Sequence, residues 1–375
     1  RRTPDIPADG IGGAVWLHFE AAFQVADVYL NGVHVGGHRG GYTDFTIDLT
    51  GQLKPGANVL AVRVDNAWTP RLCPRAGELI FGGGLHRDAW LVVANPTHVA
   101  TNGVFIKMAS IDRDHAVIEI ETEIRQTDDS RNRVSVMSEV LDPRGKVVMA
   151  ADSSHFITPG KTTTARQILP ELLLPELWHP DHPNLYTLRT TLHLGKRNVL
   201  DVVHTRFGLR WFEWTSDRGF FLNGKHVYLR GANAHQDHSG WGIGITQAAI
   251  RRDVRLVKEA GMNFVRGAHY PHHPVFARAC DEIGLLCWSE NCFWGKGGFG
   301  PEGYWNASAF PIHEEDQDDF GAHCRQTLVE MIRANRNSPS VICWSMMNEA
   351  FFTYHVEQAR ELVSELVDLS HATDP

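Results

Sequence analysis

From Arg206 onward the chain repeats one unit four times, and nothing else in it restricts the fold as tightly. Each unit is a short apolar run followed by an amphipathic stretch. VYLRGANAH precedes a stretch that begins near Thr246, and MNFVRGAHY precedes Pro274 to Ile283. LLCWSE precedes the stretch from about Gln317 to Asn335, and SVICWSMMNEA precedes a last one with Val356, Ala359, Val363 and Leu366 on one face. Continuous runs of Val, Ile, Leu, Cys and Trp fit strands buried on both sides. In the first helix Ile250, Val254 and Val257 fall at helical spacing, and Gly261 supplies the stop. Strand and helix in strict alternation imply a parallel sheet with right-handed crossovers, most economically the first half of a (β/α)8 barrel.

All four strands finish in polar or aromatic groups: Asn233 and His235, then His269, then Trp288 and Glu290, then Asn348 and Glu349. In a parallel barrel the carboxyl ends converge on one mouth, so these side chains are expected to become neighbours in a cleft. Any one of the histidines taken alone is better explained by a structural role, and Asn348-Glu349 alone could be a helix cap. Their recurrence at equivalent positions shifts the weight towards a site.

Upstream the pattern is different. Residues 10–96 read as all-β: Val15, Leu17 and Phe19 alternate with Trp16, His18 and Glu20, and Leu60, Val62 and Val64 share one face. Asn31-Gly32 marks a two-residue hairpin, and short strands with Gly-rich turns suggest a jelly-roll sandwich. The loop from Trp68 to Gly84 is long enough to suggest a function. Asn95-Pro96 marks a boundary. Beyond it VIEI, VSVMSEV, KVVMA and LRTTLHL again alternate, at a size that fits an immunoglobulin-like sandwich. That segment has no convergent polar cluster and reads as a brace. The expected organisation is therefore 1–96, 97–206 and 207–375.

Composition removes several classes of partner. The net charge is −8, with acidic and basic residues interspersed, which argues against nucleic acid or an anionic membrane. No apolar run approaches the roughly 20 residues of a membrane helix. The start, RRTPDIPADG, has neither initiator Met nor an apolar signal core and looks trimmed, so the address is left unknown for a soluble protein, cytoplasmic or periplasmic, with a homo-oligomer also left open. Six cysteines without a CxxC pair read as buried free thiols and give no zinc site. The acidic run Glu314, Glu315, Asp316, Asp318 and Asp319 reads as a solvated helix start rather than a metal site. GKGGFGPEG, Gly295 to Gly303, reads as a rim of the cleft rather than a phosphate loop. Twenty-one histidines and eleven tryptophans suit a cleft for a neutral sugar.

Seven motifs then resemble glycoside hydrolase family 2, in that family's order and over nearly the whole chain. They are NGVHVGGHRGGYTDF, GGGLHRDAWLV, ELWHPDHPNLY, GFFLNGKHVYLRGANAHQD, KEAGMNFVRGAHYPHHP, CDEIGLLCWSE and NSPSVICWSMMNEA. The resemblance implies a multidomain β plus α/β protein: jelly roll, immunoglobulin-like sandwich, then the first four βα units of a TIM barrel. It implies Glu349 as general acid/base and Asn348 as a ligand of the sugar 2-hydroxyl. His235 and His269 would contact substrate, and Asp88, in HRDAWL, would match a carboxylate that β-galactosidases bring in from the jelly roll. Glu290 and Trp288 are expected in the same substrate-binding mouth. Trp344 could stack on the sugar as well, although core packing suits it better.

The sequence departs from the family pattern in two places. The family's nucleophile is a Glu on the seventh barrel strand, and no residue here matches it. The third-strand motif, where some β-galactosidases place a magnesium ligand followed by a His, has Cys292 at the His position, so no metal and no other cofactor is expected. The expected activity is that of a retaining exo-β-glycosidase, first a β-galactosidase. A β-glucuronidase or another family 2 enzyme is the alternative, and a non-catalytic carbohydrate-binding fragment is the alternative of another class. The missing nucleophile leaves open a fragment of a longer protein, a barrel completed by a partner, and an incompetent fragment.

Overall fold

The computed structural model describes residues 1–6, 12–73, 82–295, 309–351 and 355–375. Residues 74–81 of the long loop before Gly84, and Gly-rich GKGGFGPEG beyond Gly295, lie outside the described residues.

The N-terminal region is a pair of antiparallel three-stranded sheets. Strand Ala14–Phe19 lies between Phe45–Asp48 and Ala89–Ala94, and strand Val25–Leu30 lies between Val33–Arg39 and Leu60–Asp65. Period-two alternation sends Val15, Leu17 and Phe19 into a core shared with Val28, Leu30, Phe45 and Ile47, with Leu60, Val62 and Val64 packed against it. Asn31 and Gly32 both take positive φ (51° and 88°), as a two-residue turn matched to the strand twist requires.

The second region packs two four-stranded sheets around Ile118, Ile120, Val134, Val136, Leu188 and Leu192. It leads into a hairpin, Phe212–Thr215 with Gly219–Leu222, and then into the α/β region.

There the strands β1 (Gly231–His235), β2 (Phe264–Ala268), β3 (Leu286–Phe293) and β4 (Val341–Met347) form one parallel sheet in that order. Four helices cover one face: α1 (Gln247–Glu259), α2 (Pro274–Ile283), α3 (Gln317–Asn335) and α4 (Val356–Thr373). Their ends follow local chemistry. The Thr246 hydroxyl caps α1 by accepting from Ala249 N, Pro274 opens α2, and Gly284 closes α2 in the left-handed region (φ 82°). The acidic run enters α3 through a short 3-10 turn, with Glu314, Glu315, Asp318 and Asp319 in solvent and Asp316 turned inward onto Arg71 (2.7 Å).

The floor of this half barrel is apolar. Phe264, Leu286 and Ile342, at the amino ends of β2 to β4, pack on Trp178 from the second region and on Phe220 and Leu222 from the hairpin. No described helix is long and apolar enough to cross a membrane. All six cysteines are free, and five are buried.

Candidate active site

Above the floor, strand register stacks the side chains in layers. β2 and β3 pair Arg266 with Trp288, and β3 and β4 pair Glu290 with Ser345. A register shift early in β4 changes which residues face the interior. Ser345 therefore meets Glu290 (3.1 Å), while Trp344 turns away and donates its indole N–H to Asp374 (2.8 Å). Trp344 is thus a packing residue.

Glu290 is the hub, and it is 0 % exposed. Its Oε1 accepts from His269 Nδ1 (2.8 Å) and Arg266 Nη2 (3.0 Å). Its Oε2 accepts from Arg266 Nε and Nη2 (3.0 and 2.8 Å), Trp288 Nε1 (3.2 Å) and Ser345 Oγ. A buried carboxylate is tolerated because a guanidinium and three further donors surround it. Both oxygens are occupied, so Glu290 fixes the layer above it instead of reaching a ligand itself. Trp288 is half-buried with the Arg266 guanidinium 5.9 Å from its ring centre, so its indole is also engaged in this network.

The upper layer holds the remaining residues. Arg266 Nη2 also donates to Asn348 Oδ1 (2.8 Å) and lies 3.3 Å from His269 Nδ1. His235 and His269 meet edge to face with ring centres 4.9 Å apart, and Trp294 closes the other side of His269 at 5.0 Å. Burial, helped by the positive neighbours His269 and Arg266, lowers the His235 pKa below the usual histidine range and favours a neutral ring.

Glu349 follows Asn348 at the carboxyl end of β4. Its side chain is exposed instead of packed in hydrocarbon, and its backbone takes φ 52°, an uncommon conformation for a residue with a Cβ. The left-handed residue ends the strand and leaves the Glu349 side chain in solvent beside Asn348.

Asp88 lies apart from this network. It is exposed, and its carboxylate accepts from Gln247 Nε2 (2.8 Å) in the first turn of α1, which ties it to the rim beside β1. The arginine before it, Arg87, is the residue of the HRDAWL motif that enters the interface with the barrel.

The structure thus brings Glu290, Trp288, His269 and Asn348 into one network with His235 beside it, and the residue that joins them was not among those expected. Arg266 touches Glu290, His269 and Asn348. Its signal was a lone charged residue inside the apolar run MNFVRGAHY, two positions after Phe264 on the interior-facing parity. Among the described residues no group of three or more His, Cys, Asp or Glu side chains is arranged to hold a metal ion. Cys292 is buried in the core with Phe293 and Phe320.

Three family models match in succession: the galactose-binding domain-like model of glycosyl hydrolase family 2 over residues 1–75, the family 2 model over 97–210, and the family 2 TIM barrel model over 215–375. A putative β-glucuronidase of Formosa agariphila is 36% identical over 96% of the chain and 41% of its own length. A β-galactosidase of Thermoanaerobacter pseudethanolicus is 32% identical over 96% of the chain and 46% of its own. The crystal structure of a Bacteroides uniformis β-glucuronidase superposes over 100% of the chain and 45% of its own, with a TM-score of 0.88 at 30% identity. The chain thus spans less than half the length of these relatives.

Proposed function

Because the chain belongs to glycosyl hydrolase family 2, we propose that its protein hydrolyses terminal β-glycosidic bonds with retention, and that Glu349 is the general acid/base. The observation that carries this reading is an exposed Glu349 on left-handed backbone at a barrel strand end, next to the network of Arg266, Glu290, His269 and Asn348.

Cleavage needs a proton on the leaving oxygen as positive charge grows on the sugar ring, and retention needs a second carboxyl group about 5 Å from the first. Glu349 supplies the proton and then accepts one from water in the second half of the reaction. Glu290 does not supply the second carboxyl, since four neighbours hold its two oxygens. The nucleophile is assigned to the part of the protein outside these 375 residues. Asn348 is assigned the bond to the 2-hydroxyl, with Arg266 polarising its amide, and His235 and His269 are assigned bonds to the sugar's other hydroxyls. Asp88 is assigned an outer contact at the rim.

For the sugar, a β-galactoside is the first reading. The guanidinium in the network, Arg266, already faces the Glu290 carboxylate, so no unmatched cation awaits a uronic acid there. The names of the relatives support a β-glucuronide as the second reading. The test is turnover of paired β-galactosides and β-glucuronides by the complete protein and by Glu349→Gln. Loss of roughly 10²-fold or more on unactivated substrates, the scale of general acid catalysis, is expected with the melting temperature unchanged. Unchanged turnover removes Glu349 from the role.

A further inference from the structure

Residues 236 and 270–271 come directly after the two mouth histidines, His235 and His269, and the N-terminal sandwich holds both positions. Arg87, 9 % exposed, donates from Nη1 to Tyr42 O (2.7 Å) and from Nη2 to Gln236 Oε1 and Pro271 O (2.8 Å each). Beside it Tyr42 stacks on Tyr270 with ring centres 4.1 Å apart and planes within 10°. The Tyr270 hydroxyl in turn accepts from Gln236 N (3.0 Å), and Gln236 Oε1 accepts from His273 N (3.2 Å). The two loops are thus joined to each other and to one arginine.

The cost of this arrangement is that, among the described residues, the buried Arg87 has no carboxylate at salt-bridge distance and its Nε has no partner. Burying a guanidinium on carbonyl oxygens alone is expensive where packing is the only return. A bidentate fork across two loops gives something a hydrocarbon cannot, namely a fixed distance and angle between them.

We propose that Arg87, with Tyr42, is a positioning residue for the reaction. Acting through Gln236 and Pro271, it sets the spacing and orientation of His235 and His269 at the sugar site, and it makes the N-terminal sandwich part of the active site. This rests on the glycosidase reading above.

Arg210 provides the control. It is half-buried and also binds backbone carbonyls, Pro339 O (2.9 Å) and Val341 O (2.7 Å), but at the opposite end of the barrel. The experiment compares Arg87→Lys and Arg210→Lys in the complete protein, because lysine keeps the charge and loses the fork. Arg87→Lys is expected to lower kcat/KM at least tenfold, mostly through kcat on poor leaving groups, at a melting temperature no lower than that of Arg210→Lys. Arg210→Lys is expected to keep kcat/KM within twofold. Equal kinetics in the two variants overturns the proposal. If the wild type turns over no β-glycoside, the glycosidase reading fails, and histidine-ring NMR decides the positioning claim. The His235 and His269 resonances move in Arg87→Lys and stay in Arg210→Lys if it holds, and unchanged resonances in both overturn it.

Discussion

The half barrel is gripped at both ends by β-sandwiches, and the two grips differ in chemistry. At the mouth the N-terminal region contacts through Arg87, Tyr42 and Glu20, polar or titratable groups laid against the strand-end loops. At the floor the second region contacts through the wholly buried Trp178, whose indole N–H reaches Asp281 O (2.9 Å), and through the apolar contacts of Phe264, Leu286 and Ile342. Arg87 and Arg210 make the contrast sharpest: burial lowers both guanidinium pKa values to about 10, yet one touches the loops behind the site histidines and the other the amino end of β4. Both ends also share the other kind of contact, Phe23 and Tyr42 packing with Tyr270 and Phe293 at the mouth and Arg333 pairing with Glu123 from the second region, so what separates the grips is that only the one at the mouth reaches the loops after β1 and β2. The same division holds in barrels generally, with function at the carboxyl end and stability at the amino end.

The strongest way to test that division is Glu290→Gln. It removes the counter-charge of Arg266 and leaves a largely buried guanidinium uncompensated, so about 3–5 kcal/mol of stability and most turnover should be lost together. Retained turnover would mean that the network is not coupled to the site. Trp178→Ala should destabilise by a similar 3–5 kcal/mol through the cavity it leaves, with KM and kcat unchanged below the melting transition. A kinetic defect there would erase the difference between the two ends.

Acid should also separate them, with opposite signs. At the mouth, burial pushes His86 and His272 down to about 4 from an ordinary value of 6.5. The native state therefore refuses protons that the unfolded chain accepts. The stability these rings contribute is complete above pH 6.5 and is lost as the pH falls towards 4, up to about 3 kcal/mol apiece. At the floor, burial raises the Asp281 carboxyl to about 6 from 3.8, against the bonds it accepts from Ser338 Oγ and Ser340 N. There the native state holds a proton that the unfolded chain releases, so stability rises as the pH falls from 6 to 4. Amide exchange at pH 4.5 against pH 7.5 should show residues 84–88 losing protection and residues 338–342 keeping it. Parallel loss at both places would refute the contrast.

Much of this was legible in the residues. Period-two alternation marked Val15, Leu17 and Phe19 as inward-facing, and the helix signals at Thr246, Pro274 and Gly284 act on single residues and their immediate neighbours. The strand-end list was legible for the same reason, since parallel strands carry their carboxyl ends to one side whatever the loops do. Three things were not. The early register shift in β4 brought Ser345 onto Glu290, and a bulge leaves no local signature in an apolar run. Glu290 looked like a ligand contact because sequence does not show that four donors would converge on it. In HRDAWL the carboxylate drew attention by resemblance, yet it stays exposed on Gln247 and the arginine is the residue buried against the strand-end loops.

Sequence alone determined the order of elements, the family and the set of side chains delivered to the mouth, because propensity, periodicity and motif spacing are properties of short stretches. Tertiary structure decided which of those side chains face each other, which are used up in holding their neighbours, and which stay open to solvent. Pairings such as Arg266 with Glu290, 24 residues apart, and Arg87 with Gln236, 149 apart, depend on register and domain docking, and these are fixed only when the chain packs as a whole.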